Sequence, residues 1–121
     1  MTLEKELTDL PAAAGAAGIE LGGIRHRYGT TPSTGALALD VEHLAVPDGS
    51  LSVIVGPSGC GKSTMLSIVA GLLTPTEGRV HVGGVDVTDA APGARGLSMV
   101  FQDYALYPHL TVAANIGFGM R

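Results

Sequence analysis

A chain of 121 residues has room for one domain with a modest core, or for part of one. Its net charge is −4, with Lys5 and Lys62 the only lysines, so it carries no basic stripe and is not expected to bind nucleic acid. Hydrophobic residues make up 45% of the chain and charged ones only 15%, so part of its apolar surface is expected to lie against a partner.

Residues 1–18 contain Glu4, Lys5, Glu6 and Asp9, then an Ala/Gly stretch. They lack the basic start and apolar middle of a secretory signal and read as a loose leader. The domain is expected from Ile19 onward. Ile24, His26 and Tyr28 alternate with Arg25 and Arg27, the pattern of a strand with one packed and one wet face. Gly22-Gly23 marks a bulge in it. A second strand is expected at 37–41, where Leu37, Leu39 and Val41 alternate with Ala38 and Asp40; Leu44 and Val46 then fall out of phase. Pro47-Asp48-Gly49 has turn chemistry and feeds a third strand, Leu51-Ser52-Val53-Ile54-Val55.

That run leads into Gly56-Pro57-Ser58-Gly59-Cys60-Gly61-Lys62-Ser63-Thr64, a complete G-x-x-x-x-G-K-[S/T] loop. Glycines let such a loop wrap a phosphate chain with its N–H groups pointing inward, and the following helix aims its positive end at the same oxygens. Lys62 is suited to the β- and γ-phosphates of a bound nucleoside triphosphate, and the Ser63 hydroxyl to the Mg²⁺ they carry. The alternative is a glycine-rich turn that binds nothing. Against it stands the context of a strand before and a helix after: Met65, Ile68, Val69 and Leu72 form one apolar helix face, and Gly71 and Pro75 supply stop signals. Cys60 is the only cysteine, which excludes an intramolecular disulfide and fits a reducing compartment. Its position near a helix N-terminus suits a reactive thiol, or simply a small residue filling a variable motif position. No uninterrupted apolar run reaches the roughly 18 residues needed to span a bilayer.

Beyond the helix, Glu77-Gly78 reads as a turn, and Gly83-Gly84 ties Val80 and Val82 to Val85 and Val87 as a hairpin. Leu97 to Phe101 suits a short buried strand, and Thr111 caps a last helix. His26, His43 and His81 lack ligand spacing, and Asp86 and Asp89 read as a solvated face. The expected class is α/β of the P-loop NTPase type, an antiparallel β subdomain leading into a partial parallel α/β core.

The segment Val100-Phe101-Gln102-Asp103-Tyr104-Ala105-Leu106-Tyr107-Pro108-His109-Leu110-Thr111-Val112, with the phosphate loop upstream, resembles the Q-loop region of ABC transporter ATPases, most closely the sugar- and polyol-importer type. Tyr28 in Arg-Tyr-Gly, Ala70-Gly71-Leu72 and Pro92-Gly93-Ala94-Arg95-Gly96 also look like that group, so the resemblance runs from about Ile19 to Arg121. It implies an ATP-binding subunit that binds and hydrolyses MgATP to drive solute uptake. Tyr28 would stack on adenine, or else be a packed strand aromatic. Gln102 would touch water and Mg²⁺ and sense the γ-phosphate, or else be an ordinary polar strand end. The apolar stretch within 102–112 would receive the transmembrane permease subunits, or else pack on the chain's own core. His109 within it suits a contact residue better than a catalytic base. The family also implies a second ATPase subunit in a head-to-tail dimer, an extracytoplasmic solute-binding protein as indirect partner, and a peripheral location on the cytoplasmic face of the plasma membrane.

The sequence departs from the family pattern by omission. No L-S-G-G-Q-like signature, no apolar strand ending in Asp-Glu and no switch histidine occurs up to Arg121, so 19–121 reads as the N-terminal part of such a domain. Ala36-Leu37-Ala38-Leu39-Asp40 is a lookalike for the acidic strand. It precedes the phosphate loop and has Val41 where the glutamate belongs. Phosphoryl transfer depends on positioned groups, so these residues alone are expected to be poorly active. Another P-loop enzyme, such as a kinase or DNA-repair ATPase, and a non-catalytic nucleotide-binding module are the competing classes.

Overall fold

The computed structural model describes residues 17–29 and 35–120, so the leader expected at 1–18 lies outside the described residues except for its last two. Four strands form one sheet: β1 (Ala17–Tyr28), β2 (Ala36–Pro47), β3 (Glu77–Val82) and β4 (Val85–Asp86), in the order β2-β1-β3-β4 and antiparallel throughout. Helix α1 (Lys62–Ala70) packs against it, and a short α2 (Val112–Ile116) follows near the C-terminal end.

The β1/β2 ladder sets Leu21 opposite Leu44 and Ile24 opposite Val41. The two partners lie three positions apart on each strand, so the apolar phase change expected near Leu44 is matched by one on β1. At Gly22-Gly23 the expected bulge is present: the β1/β3 register slips by one residue between Gly22↔Arg79 and Arg25↔Glu77, and Gly23 takes a φ of 59°. Gly78 lies opposite that bulge, where a Cβ would collide with the carbonyls of Gly22 and Gly23. Glu77-Gly78 is therefore the start of β3 and not the turn its composition suggests. Gly83 and Gly84, at φ 58° and 80°, close the two-residue hairpin between Val82 and Val85 as expected of paired left-handed residues.

Leu21, Ile24, Leu39, Val41, Val80 and Val87 meet Met65 and Ile68 of α1 in the core. Burying a side chain of this size contributes about 1.5–3 kcal/mol, so these few residues hold the helix to the sheet. Val69 packs partly against the core, whereas Leu72 lies past the helix end and is exposed. The helix stops at Gly71, whose φ of 82° lets its N–H reach Ile68 O (3.2 Å) and the next N–H, of Leu72, reach Ser67 O (2.9 Å).

Two expected strands do not form. Leu51–Val55 and Leu97–Phe101 have no ladder partner among the described residues, with Leu51 90% and Val100 96% exposed. Only Ile54 of the first run packs against the core. The cause is topological, since a strand exists through its neighbour and the four strands of this sheet pair with one another. The antiparallel part of the expected architecture is thus in place, while no parallel pair occurs among the described residues.

Candidate functional site

The loop Gly56–Thr64 runs straight into α1, which begins at Lys62. Gly59 (φ 79°) and Gly61 (φ 99°) adopt the left-handed conformation that side chains disfavour, and this folds the loop back over the helix start. Gly61 occupies the N-cap with no side-chain cap, so no side chain claims the first-turn amides. A Cβ there would also lie 2.8 Å from Ala38 O, so the absence of a side chain seats the loop on β2. Gly56 sits over Cys60: a Cβ at 56 would fall 2.7 Å from the Sγ. The thiol is buried, and its contact with Gly56 gives Cys60 a packing role.

Lys62 turns its ammonium onto the loop itself. Nζ donates to Gly56 O (2.5 Å) and Pro57 O (2.8 Å) and lies 3.5 Å from Cys60 Sγ. An ammonium has three N–H donors, and all three face weak neutral acceptors that an anionic oxygen outcompetes. Pro57, Ser58, Gly59 and Ser63 are exposed, and Thr64 is partly buried. These features fit a phosphate chain: an uncapped helix start, two left-handed glycines and one positive charge held within the loop.

Tyr28 joins this loop from the far end of β1. Its hydroxyl lies 3.0 Å from Thr64 Oγ1, while its ring is met edge-on by His26 at 4.8 Å and 83°. At 54% exposure the ring still presents surface beside the loop. The structure therefore brings together Tyr28 and residues 56–64. Gln102 stays apart from them, exposed in a turn, and no hydrogen bond among the described residues ties it to the loop.

The stretch after Gln102 is exposed, with Tyr104 at 86% and Leu106, Pro108 and His109 also open, so it does not pack on the chain's own core. Tyr104 (φ 61°) and Ala105 (φ 44°) are the described non-glycine residues with left-handed backbone, an uncommon and costly conformation. Asn115 of α2 clasps this stretch. Its Oδ1 accepts from Tyr107 N (2.9 Å), and its Nδ2 donates to the carbonyls of Tyr107 (3.2 Å), Leu110 (3.2 Å) and Thr111 (3.0 Å). Thr111 caps α2 as expected, accepting from Ala114 N at 3.2 Å.

The hydrogen-bonding roles of two further residues escaped the sequence reading. Arg95 is buried with its guanidinium on main-chain carbonyls, a role that no periodicity announces. Asp86 is exposed, but it also accepts from Thr88 N (2.9 Å) and Thr88 Oγ1 (2.6 Å), and that hydroxyl in turn accepts from Val80 N (2.9 Å). The Thr88 hydrogen bonds hold the Asp86 carboxyl below its ordinary pKa. A pattern of Asp-x-Thr after a glycine hairpin is the signal that could have found it.

A glycine loop that enters a helix at Lys-Ser, seated on a sheet strand, defines a phosphate-binding protein of the P-loop class. Residues 39–120 match the family described as ABC transporter, and the chain belongs to that family. Over 87 residues it is 54% identical to the sn-glycerol-3-phosphate import ATP-binding protein UgpC of Jannaschia sp. (strain CCS1), covering 72% of this chain and 25% of that protein. It is 48% identical over 103 residues to the xylose/arabinose import ATP-binding protein XacJ of Haloferax volcanii, covering 85% of this chain and 26% of the relative. The chain thus spans about a quarter of the length of these relatives. Among solved structures, it is similar to a dimeric post-hydrolysis state of the ATP-binding cassette MJ0796 bound to ADP and Pi. The TM-score is 0.70 at 32% identity, over 81% of this chain and 44% of that one. No helix among the described residues is long and apolar enough to cross a membrane.

Proposed function

We propose that this chain belongs to the ATP-binding subunit of an ABC importer and supplies the phosphate grip of its ATPase site. Gly56–Thr64 hold the phosphates, Lys62 neutralises the β- and γ-phosphates, Ser63 ligates Mg²⁺, and Tyr28 stacks on the adenine. Gln102 completes the metal and water contacts once the exposed segment that carries it moves toward the loop. The observation that carries this reading is the assembly around the helix start: Lys62 Nζ within the loop, and Tyr28 hydrogen-bonded to Thr64 at its end.

In this reading the exposed stretch in 102–112 receives the permease subunits, and a second ATPase copy packs head to tail across the nucleotide. A solute-binding protein acts indirectly, and the subunit is peripheral on the cytoplasmic membrane face. Relatives named for glycerol phosphate and for xylose/arabinose import make a sugar, a polyol or its phosphate the favoured solute. Isothermal calorimetry with MgATP tests the site. Lys62→Ala should weaken binding by more than about tenfold, the scale of losing a hydrogen bond to a charged group. The melting temperature should stay within a few degrees. Equal heats for the two chains would sink the assignment.

A further inference from the structure

Arg95 is 5% exposed, and no carboxylate pairs with it among the described residues. All its hydrogen bonds end on main-chain carbonyls. Nη1 donates to Ile68 O (2.9 Å) and Val69 O (3.1 Å), in the last turn of α1. Nε donates to Ala90 O (3.0 Å) and Nη2 to Thr88 O (2.9 Å). A cation is favoured at a helix C-terminus, and a planar guanidinium fixes both partners' directions at once. Gly71 makes room for it, because a Cβ there would stand 2.9 Å from Cζ.

One end of α1 is the phosphate loop and the other is held by Arg95. From Arg95 the chain passes through Gly96 (φ 67°) to Gln102, and no hydrogen bond among the described residues ties 97–102 to the rest of the molecule. Arg95 is therefore the last polar anchor before Gln102. Stripping a buried guanidinium of its acceptors is far more costly than breaking an exposed hydrogen bond, so the Arg95 anchor itself is firm.

We propose that Arg95 is a positioning residue that links the C-terminal end of the phosphate-loop helix to the segment carrying Gln102. A shift of α1 when phosphates bind at its N-terminal end then reaches Gln102 through the Ile68 and Val69 carbonyls. This rests on the reading of Gly56–Thr64 as an ATP site, and it adds the route by which the sensor learns of the nucleotide. Spatial intermediacy alone does not demonstrate coupling, so the test measures transmission and binding separately.

Hydrogen exchange of residues 97–103 is followed with and without saturating MgATP, beside calorimetry of the same samples, in the unaltered chain and in Arg95→Met. The expected result is a nucleotide-dependent change in exchange in the unaltered chain that is lost in the variant. The variant's affinity should stay within about threefold, well short of the tenfold that 1.4 kcal/mol represents. Persistence of the response in nucleotide-bound Arg95→Met overturns the proposal, as does its absence from the nucleotide-bound unaltered chain. A large loss of affinity in the variant also overturns it, by reducing Arg95 to a support of the helix. If Arg95→Met does not fold, Gly71→Ala, which crowds the guanidinium from the other side, is read by the same outcomes. No MgATP heat from the unaltered chain is the failure of the site itself and removes both readings, a result distinct from binding without transmission.

Discussion

The hydroxyl of Tyr28 and the hydroxyl of Thr64 lie 3.0 Å apart, although 36 positions separate them in sequence. This contact fixes the ring that ends β1 against the last residue of the phosphate loop, with His26 at its edge. Tyr28→Phe keeps the ring and drops the bond, so MgATP affinity should fall no more than about threefold, because an exposed hydrogen bond contributes at the low end of 0.5–1.5 kcal/mol. Tyr28→Ala also removes the stacking surface. Its loss should be about two- to twelvefold on the scale of aromatic pairs, measured by the same calorimetry. Equal affinities for the unaltered chain and Tyr28→Ala would show that the ring does not meet the base.

Gly56 and Cys60 form a packed pair, and their substitutions should not add. Gly56→Ala drives a methyl group to 2.7 Å from the sulfur and should destabilise by about 1–3 kcal/mol, the usual cost of overpacking. Cys60→Ala in the same chain clears the space and should recover most of that loss, a coupling visible in a urea double-mutant cycle. Additive effects would place the two side chains out of contact.

Asp86 ties stability to pH. Its carboxyl is held below the ordinary 3.8 by two hydrogen bonds from Thr88, with Arg79 as a weaker contributor. A group with a lowered folded pKa adds stability that is complete above its ordinary value and is lost as pH falls through the folded one. As pH falls below 3.8 the unaltered chain should therefore lose stability more steeply than Asp86→Asn. Parallel stability curves for the two chains over that range would remove Asp86 from the acid response.

Asn115→Ala should release the stretch from Tyr107 to Thr111, which loses four hydrogen bonds to one side chain. The surroundings are largely exposed, so water replaces those partners and global stability should change by less than about 1 kcal/mol. Local opening is another matter. The Tyr107 amide should exchange at least about tenfold faster, because its acceptor is gone. Unchanged exchange there would mean that the clasp does not persist in solution.

The local chemistry was legible from residues alone. Gly83-Gly84 implied a tight hairpin, Gly22-Gly23 a bulge, Gly71 a helix stop and Thr111 a cap, and each is where its backbone requirement puts it. The backbone of the Gly56–Thr64 loop was legible for a similar reason, since Gly59 and Gly61 take left-handed φ and Lys62 bonds within the loop, although the seat of Gly61 against Ala38 is nonlocal. Nonlocal partners were not. Leu51–Val55 has every strand signal of composition, yet no neighbour among the described residues supplies a ladder, and Glu77-Gly78 has turn composition but pairs with the bulge on β1. The link from Tyr28 to Thr64 and the Arg95 contacts with α1 depend on chain segments meeting across 26 to 36 positions, a distance at which periodicity is silent.

Leu51–Val55 has a practical consequence for anyone purifying this polypeptide. Five uncharged residues with outward valines and main-chain groups that find no ladder partner among the described residues are a template onto which another extended chain can add, the starting event of cross-β assembly. Concentrated samples are expected to turn turbid and bind thioflavin. A lysine at the solvent-facing Val53 should act as a gatekeeper that delays this without touching the core.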